Sequence, residues 1–315
     1  MAEPLRALIS CAHVWPLMDR YAPVLAGAGI SYDIPTVPGQ QLEEEDLIPV
    51  IGDYDGILAG DDILNAAVLG HAARLRIISK WGIGVDAIDI PFAEALGIKV
   101  TNTPGVFAHE LADYALGYLL LLARRQHEID REVHSGRWFK VRGTSLQGRT
   151  IGLIGLGSSG REFARRLAVM GLRILAVEPV PPGDDFLRET GVELVTLDDL
   201  LSRAQIISLH APLTPETHHA LGPDAFAAMQ PDTWIINIAR GPLVDETALV
   251  AALDAGTVSA AALDVFEREP IAADHPLLGR PNVILGSHNG SNTREAAERT
   301  TEMAIANLVA GLVSE

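Results

Sequence analysis

The sequence predicts an α/β fold of two domains, each built on a parallel sheet, and three observations carry that expectation. Short apolar runs alternate with stretches of helical periodicity along the whole chain. A glycine-rich turn joins one such run to a helix near the middle, at Gly155-Leu156-Gly157-Ser158-Ser159-Gly160. A breaker cluster, Thr101-Asn102-Thr103-Pro104-Gly105, divides a smaller first group of elements from a larger second one. At 315 residues the chain is long enough for two domains with substantial cores.

In the first group, Leu5–Cys11 reads as a strand and His13–Ala26 as a helix interrupted near Pro16. Ser31–Val37, Gly56–Ala59 and Leu75–Ser79 read as three more strands, with helical stretches near Leu42–Val50 and Ile63–His71. This alternation implies a parallel sheet of flavodoxin-like layout. The last strand runs into Lys80-Trp81-Gly82-Ile83-Gly84-Val85-Asp86. Glycines at the carboxyl end of a parallel strand are expected to expose backbone N–H groups that hold a carboxylate. Lys80, Trp81, Gly82 and Ile83 are therefore candidate substrate contacts, against the plainer reading of a turn with a surface lysine. After the breaker cluster, Val106–Arg125 reads as a long helix, apolar on most faces and so expected to be buried between domains or against a second subunit. His109, near its start, reads as a capping or packing residue.

The stretch from Thr150 to Glu178 organises the second group. Ile151-Gly152-Leu153-Ile154 is a strand, Arg161–Met170 a helix, and Arg173–Val177 a second strand that closes on Glu178. Strand, glycine turn, helix, strand and acid in that order form a dinucleotide site. Gly155 permits the tight turn, Gly157 lets the backbone approach a pyrophosphate, and Gly160 lets helix and strand pack closely. Ser158 and Ser159 stand at the helix start, where free N–H groups favour phosphate. Glu178 lies 18 positions after the last glycine, near the offset at which an acid accepts hydrogen bonds from the adenosine ribose. A carboxylate would repel the 2′-phosphate of NADP, and no Arg or Lys follows within Pro179–Phe186, so NAD is the expected cofactor.

Four further strands deposit polar residues at their carboxyl ends, on the edge where a dinucleotide should lie. Gln205–Leu209 ends in His210-Ala211-Pro212, Thr233–Ile238 in Ala239-Arg240-Gly241, Ser259–Leu263 in Asp264, and Val283–Gly286 in Ser287-His288. Three of these segments supply a coherent set. Arg240 is a permanent cation whose planar fork suits the oxygens of a 2-oxo acid. His288 can give a proton to the oxygen as hydride arrives, or remove it in reverse. Glu269 can accept a hydrogen bond from the other imidazole nitrogen, fixing the ring and favouring its protonated form.

Together these motifs resemble the NAD-dependent D-2-hydroxyacid dehydrogenase family, which holds phosphoglycerate dehydrogenases, glyoxylate/hydroxypyruvate reductases and D-lactate dehydrogenases. Gly82-Ile83-Gly84-Val85-Asp86, Leu146–Gly152, His210–Thr217, Asn237-Ile238-Ala239-Arg240-Gly241, Leu263-Asp264-Val265-Phe266 and Glu269-Pro270 carry the likeness over nearly the whole length. The resemblance implies Arg240, Glu269 and His288 at the catalytic positions. It implies Ile238, Ala239, Asp264 and Gly290 along the cofactor, with Ala239 and Asp264 toward its nicotinamide half. It also implies a cofactor domain, 103–290, inserted into a substrate domain of 1–102 plus 291–315, and a homodimer formed through the cofactor domain. Three features depart from the family's pattern: Ser158-Ser159 inside the glycine turn, Asn289 after the histidine, and the acidic loop Ala59-Gly60-Asp61-Asp62.

Composition narrows the partners. Twenty-four basic against 41 acidic residues give a formal net charge of −17, which disfavours nucleic acid and anionic membrane surfaces. No metal-ligand cluster is evident, and the single cysteine, Cys11, cannot form an internal disulfide. The N-terminus lacks a basic-then-apolar signal pattern, so a cytoplasmic enzyme is expected. The predicted function is reversible hydride transfer between NAD(H) and a 2-oxo/D-2-hydroxy acid pair. The phosphoglycerate dehydrogenase and glyoxylate/hydroxypyruvate reductase types stay open as substrate classes. An NAD(H)-sensing corepressor-like protein and a phosphite- or formate-type dehydrogenase are the alternatives.

Overall fold

A computed structural model of the chain describes residues 4–37 and 41–313. It divides into two compact units, Met1–Val106 with Asn292–Glu315, and Phe107–Ser291. Among the described residues no helix is long and apolar enough to cross a membrane.

The first unit holds a parallel sheet of β1 (Leu5–Ile9), β2 (Ile30–Asp33), β3 (Gly56–Ala59), β4 (Ile77–Lys80) and β5 (Lys99–Thr101). Its order, β2-β1-β3-β4-β5, is the flavodoxin-like one. β3 and β4 are buried along their whole length, as strands covered on both faces must be. β1, β3 and β4 lie close to their expected limits, whereas β2 ends at Asp33, short of the expected Val37. β5 was not anticipated, because three residues starting with an exposed lysine show neither alternation nor an apolar run. The helix Arg294–Val313 closes the unit by packing on β3 and β4. Gly56 and Gly311 allow that approach: a Cβ on Gly56 would stand 2.8 Å from Leu308 Cδ1, and one on Gly311 2.1 Å from Ile77 Cδ1. Ser79 Oγ donates to the Ala304 carbonyl at 2.8 Å and Trp81 Nε1 to Thr301 Oγ1 at 3.0 Å, so the C-terminal helix belongs physically to this unit.

The second unit holds seven parallel strands, β6 (Thr150–Ile154), β7 (Arg173–Val177), β8 (Glu193–Leu194), β9 (Ile206–Leu209), β10 (Thr233–Asn237), β11 (Val258–Leu263) and β12 (Val283–Leu285). Their order is β12-β11-β10-β9-β6-β7-β8, the doubly wound arrangement whose direction reverses between β6 and β9. One face packs on the helices Ala108–Arg124 and Ser158–Ala168, the other on a separate apolar cluster. The Ala108–Arg124 helix buries Ala112, Ala115, Tyr118, Leu119 and Leu122 in this unit's own core and leaves Leu120 exposed. His109 is exposed and pairs with Glu162 at 3.1 Å.

Candidate active site

The glycine turn sits at the carboxyl end of β6, at the point where the strand order reverses. Gly155 has φ +101°, and a Cβ there would lie 2.6 Å from Ala211 N and 2.8 Å from the His210 carbonyl carbon. Only glycine lets the turn lie so close to the end of β9. At Gly160 a Cβ would lie 2.3 Å from the Gly155 carbonyl oxygen, so the helix start is also held against the turn. Gly157, by contrast, has nothing within 4 Å of a Cβ position. It caps the Ser158–Ala168 helix with no side-chain cap bond. The outer face of the turn thus combines open space with the first amides of a helix, the arrangement that suits a pyrophosphate.

Glu178, at the end of β7, accepts from Leu156 N at 2.7 Å through Oε2 and from Val180 N at 3.1 Å through Oε1. The carboxylate therefore braces the turn from behind, and it retains acceptor capacity for ribose hydroxyls. Arg161 Nε donates to the Leu156 carbonyl at 2.7 Å, completing the brace. Ala211 and His210 lie beneath. The His210 imidazole is buried against Phe163, with ring centroids 5.2 Å apart, and Nε2 meets Ser208 Oγ at 2.9 Å. Burial pushes its pKa down to about 3, so it is neutral. Sequence reasoning set His210 beside the cofactor as a polar strand-end residue. The structure turns its ring toward Phe163 and Ser208 and sets its backbone and Cβ against the turn.

The three residues proposed for chemistry stand on one edge, after β10, β11 and β12, which are neighbours in the sheet. Asn237 fixes the turn after β10: its Nδ2 donates to the Arg240 carbonyl at 2.8 Å, and its Oδ1 accepts from Ala239 N at 3.1 Å. Arg240 Nη1 donates to the Ala239 carbonyl at 2.9 Å. Gly241 follows with the tightest contact of the region. A Cβ there would lie 1.9 Å from both the carbonyl carbon and the oxygen of Phe266. That contact locks the Arg240 turn onto the loop carrying Glu269. The loop is braced further by Glu246, whose Oε1 accepts from Glu267 N at 2.8 Å and whose Oε2 pairs with His275 at 2.9 Å.

Glu269 points into this edge. Oε1 accepts from Phe266 N at 2.9 Å and Oε2 meets His288 Nδ1 at 2.7 Å. An ionised carboxylate only accepts, so the proton in this contact is carried by Nδ1. His288 has φ +52°, a left-handed backbone that a non-glycine residue adopts only when its surroundings hold it. Asp264, almost fully buried at 1% exposure, supplies that hold. Its carbonyl accepts from His288 N at 2.7 Å, and its carboxylate accepts from Asn289 N at 3.1 Å and Gly290 N at 2.7 Å. Sequence reasoning set Asp264 and Gly290 against the cofactor. The structure gives them to each other. Tyr114 and Tyr118 escaped it, although two tyrosines four apart on an otherwise apolar helix face are a legible sign of buried hydroxyls that need partners.

In the first unit, β4 ends in Lys80, which is buried. Its Nζ donates to the Trp81 carbonyl at 2.7 Å and pairs with Asp61 at 3.1 Å. Trp81 is buried and stacks on His13 at 4.7 Å. The Gly82 amide was expected to be exposed for a ligand carboxylate; it donates instead to Thr103 Oγ1 at 2.9 Å. A buried N–H takes the nearest acceptor, and Thr103 from the breaker cluster supplies one. Ile83 is partly exposed, and its carbonyl accepts from Asn102 Nδ2 at 2.8 Å.

A doubly wound sheet with a braced glycine turn and an acid at the end of β7, and with arginine, glutamate and histidine on adjacent strand ends, defines a dinucleotide-dependent dehydrogenase. Comparison with known proteins gives the family. The family description "D-isomer specific 2-hydroxyacid dehydrogenase, NAD binding domain" matches residues 116–290. A glyoxylate reductase from Thermofilum pendens is 40% identical over 278 residues, 86% of this chain and 82% of that protein. A D-3-phosphoglycerate dehydrogenase from Archaeoglobus fulgidus is 39% identical over 258 residues, 81% of this chain but 49% of the relative. The crystal structure of an NADPH-dependent glyoxylate/hydroxypyruvate reductase from Sinorhizobium meliloti, in complex with NADP and malonate, superposes with a TM-score of 0.86 at 31% identity, over 98% of this chain and 93% of that one. The chain belongs to the D-2-hydroxyacid dehydrogenase family. It is an NAD-dependent oxidoreductase that interconverts 2-oxo and D-2-hydroxy acids.

Proposed function

We propose that the chain is a reductase of the glyoxylate/hydroxypyruvate type, acting on a short, unphosphorylated 2-oxo acid. His288 is its acid/base, Glu269 the partner of that imidazole, and Arg240 the substrate's cation. The observation that carries the assignment is the 2.7 Å contact of His288 Nδ1 with Glu269 Oε2, one strand away from the Arg240 turn. Bound NAD(H) supplies or accepts the hydride. Arg240 holds the carboxylate and draws charge onto the carbonyl oxygen. His288 delivers the Nε2 proton to that oxygen in reduction and takes it back in oxidation. Glu269 stabilises the imidazolium before transfer and holds the ring's orientation after it. The Gly157 to Gly160 turn with Glu178 holds the adenosine end, and the acid disfavours a 2′-phosphate.

Two observations favour an unphosphorylated substrate. Lys80, the cation that would meet a distal phosphate, is already paired with Asp61 and buried. The relative matched over most of its length is a glyoxylate reductase, whereas the phosphoglycerate dehydrogenase is matched over about half. NADH oxidation followed by absorbance against glyoxylate, hydroxypyruvate and 3-phosphohydroxypyruvate tests this. A higher kcat/KM for either small acid is expected, and a preference for the phosphorylated one overturns the substrate assignment. His288→Ala is expected to lower kcat by at least a hundredfold with NADH binding unchanged; wild-type turnover in that variant removes the acid/base role.

A cytoplasmic homodimer formed through the cofactor unit belongs to the same proposal. Trp138 is 84% exposed in a segment without regular structure, and Leu120 and Val133 are exposed on the two helices preceding it. An exposed tryptophan and two aliphatic side chains on the cofactor unit would suit an interface with a second copy. Light scattering of the wild type and of Trp138→Ser tests it: a dimer that dissociates in the variant is expected, and a monomeric wild type overturns it.

A further inference from the structure

Helix Ala108–Arg124 lies apart from the residues assigned to chemistry, yet it sends two hydroxyls toward them. Tyr114 and Tyr118 are one turn apart, so their side chains share a face. Their rings meet edge to face at 4.8 Å. Tyr118 donates to the Tyr114 oxygen at 3.2 Å, and Tyr114 donates to Asp264 Oδ1 at 3.1 Å. Each phenol has one proton, so the chain runs one way, from Tyr118 through Tyr114 to the carboxylate. Burial, foremost, and then the neighbouring hydroxyl and the Asp264 charge raise the Tyr118 pKa; burial also raises that of Tyr114. Both remain donors throughout the neutral range.

The carboxylate they reach is the one that gathers the Asn289 and Gly290 amides, while the Asp264 carbonyl takes the His288 amide. Three consecutive N–H groups around a left-handed histidine thus depend on one buried aspartate. The backbone on either side presses against the same group. A Cβ on Gly286 would lie 2.1 Å from Asp264 Oδ1, 2.4 Å from the Tyr118 hydroxyl and 3.0 Å from the Tyr114 hydroxyl. A Cβ on Gly290 would lie 3.0 Å from Asp264 Oδ2 and 3.3 Å from Tyr114 Cδ1. The segment from Gly286 to Gly290, with His288 at its middle, is therefore clamped at both ends on a single carboxylate whose orientation Tyr114 fixes.

We infer that Tyr114, backed by Tyr118, is a positioning residue for the reaction: through Asp264 it holds His288 in the conformation that meets Glu269. The inference rests on the acid/base assignment of His288. Without the Tyr114 hydroxyl, Asp264 loses one of its three side-chain donors and can rotate. The Asn289 and Gly290 amides then lose a fixed acceptor, and the histidine relaxes out of its left-handed backbone. The glycine turn at β6 is untouched, so proton transfer suffers while cofactor binding does not.

The test compares wild type, Tyr114→Phe and Tyr118→Phe as full-length protein, by steady-state kinetics, NADH fluorescence titration and hydrogen–deuterium exchange. Tyr114→Phe keeps the ring and removes only the hydroxyl. Its kcat is expected to fall about tenfold, the effect of losing one hydrogen bond to a charged group. Its NADH dissociation constant is expected to stay within twofold. Amide exchange over residues 286–292 is expected to rise about tenfold, with β6 and the glycine turn unchanged. Tyr118→Phe moves the same quantities the same way by less. Wild-type exchange over 286–292 in Tyr114→Phe overturns the inference, as does faster exchange spread evenly through the unit, which would mark a packing role only. Locally raised exchange with unchanged kcat overturns it as well. A wild type inactive on every 2-oxo acid refutes the proposed function instead, and the exchange measurement then still decides whether Tyr114 holds the segment.

Discussion

Acidification isolates one residue beneath the cofactor turn. The His210 ring is buried against Phe163, and that burial lowers its pKa from 6.5 to about 3. Between those values the unfolded chain binds a proton here and the folded chain does not. Stability from this group is therefore complete above the unfolded pKa and is lost as pH falls below it. At about 1.4 kcal/mol for each pH unit under 6.5, moving from pH 7 to pH 5 costs roughly 2 kcal/mol. For a domain of this size that corresponds to a fall of about 4–8 °C in Tm. The perturbation is His210→Gln, which keeps polar atoms near Ser208 and has nothing to titrate. Tm of both proteins is measured by calorimetry at pH 7, 6 and 5 in buffers of matched ionic strength. The variant starts lower because its core contact is poorer, but its curve is expected to be flatter by those 4–8 °C. Every other group titrating in this range cancels in the difference. Parallel curves for the two proteins refute the claim that this imidazole is held neutral by burial.

Three further outcomes follow from the geometry of the turns. Gly241→Ala would drive a Cβ into the Phe266 peptide at 1.9 Å, so the Arg240 turn and the Glu269 loop must separate. A loss of kcat/KM of at least a hundredfold is expected with a Tm lowered by several degrees, and wild-type kinetics would show that the two loops tolerate separation. Glu178→Ala removes the acceptor of the Leu156 amide and the acid proposed to meet the ribose, so KM for NADH is expected to rise at least tenfold and the efficiency of NADPH relative to NADH to increase. An unchanged ratio of NADH to NADPH efficiency refutes the selectivity assigned to the acid. Glu269→Gln removes the charge that favours the imidazolium but keeps an acceptor for Nδ1. The alkaline limb of the reduction pH–rate profile is expected to move to lower pH, because the protonated acid then persists over a narrower range. A profile that stays in place shows that Glu269 only orients the ring.

The parts of the fold that follow from local pattern were legible in the chain. Apolar runs such as Ile206–Leu209 are buried on both faces, so their composition announces them, and the glycine turn announces itself by the conformations it needs. That Arg240, Glu269 and His288 stand on neighbouring strand ends was legible for a related reason: the strand ends of a doubly wound sheet share one edge. Contacts decided by three-dimensional packing were not. Whether the Gly82 amide faces a ligand or Thr103 depends on how a loop 21 residues away folds back. Whether His210 points at a cofactor or into the core depends on Phe163 and Ser208 lying on the same side of the sheet. The Tyr114 hydroxyl finds Asp264 across 150 residues, a partner that the spacing of the two tyrosines does not name. For Gly82 and His210 the sequence showed a polar group at a strand end, and the structure adds a partner from the same chain. A buried donor or acceptor takes the first acceptable group within reach, and in a packed domain that group is most often another part of the same chain.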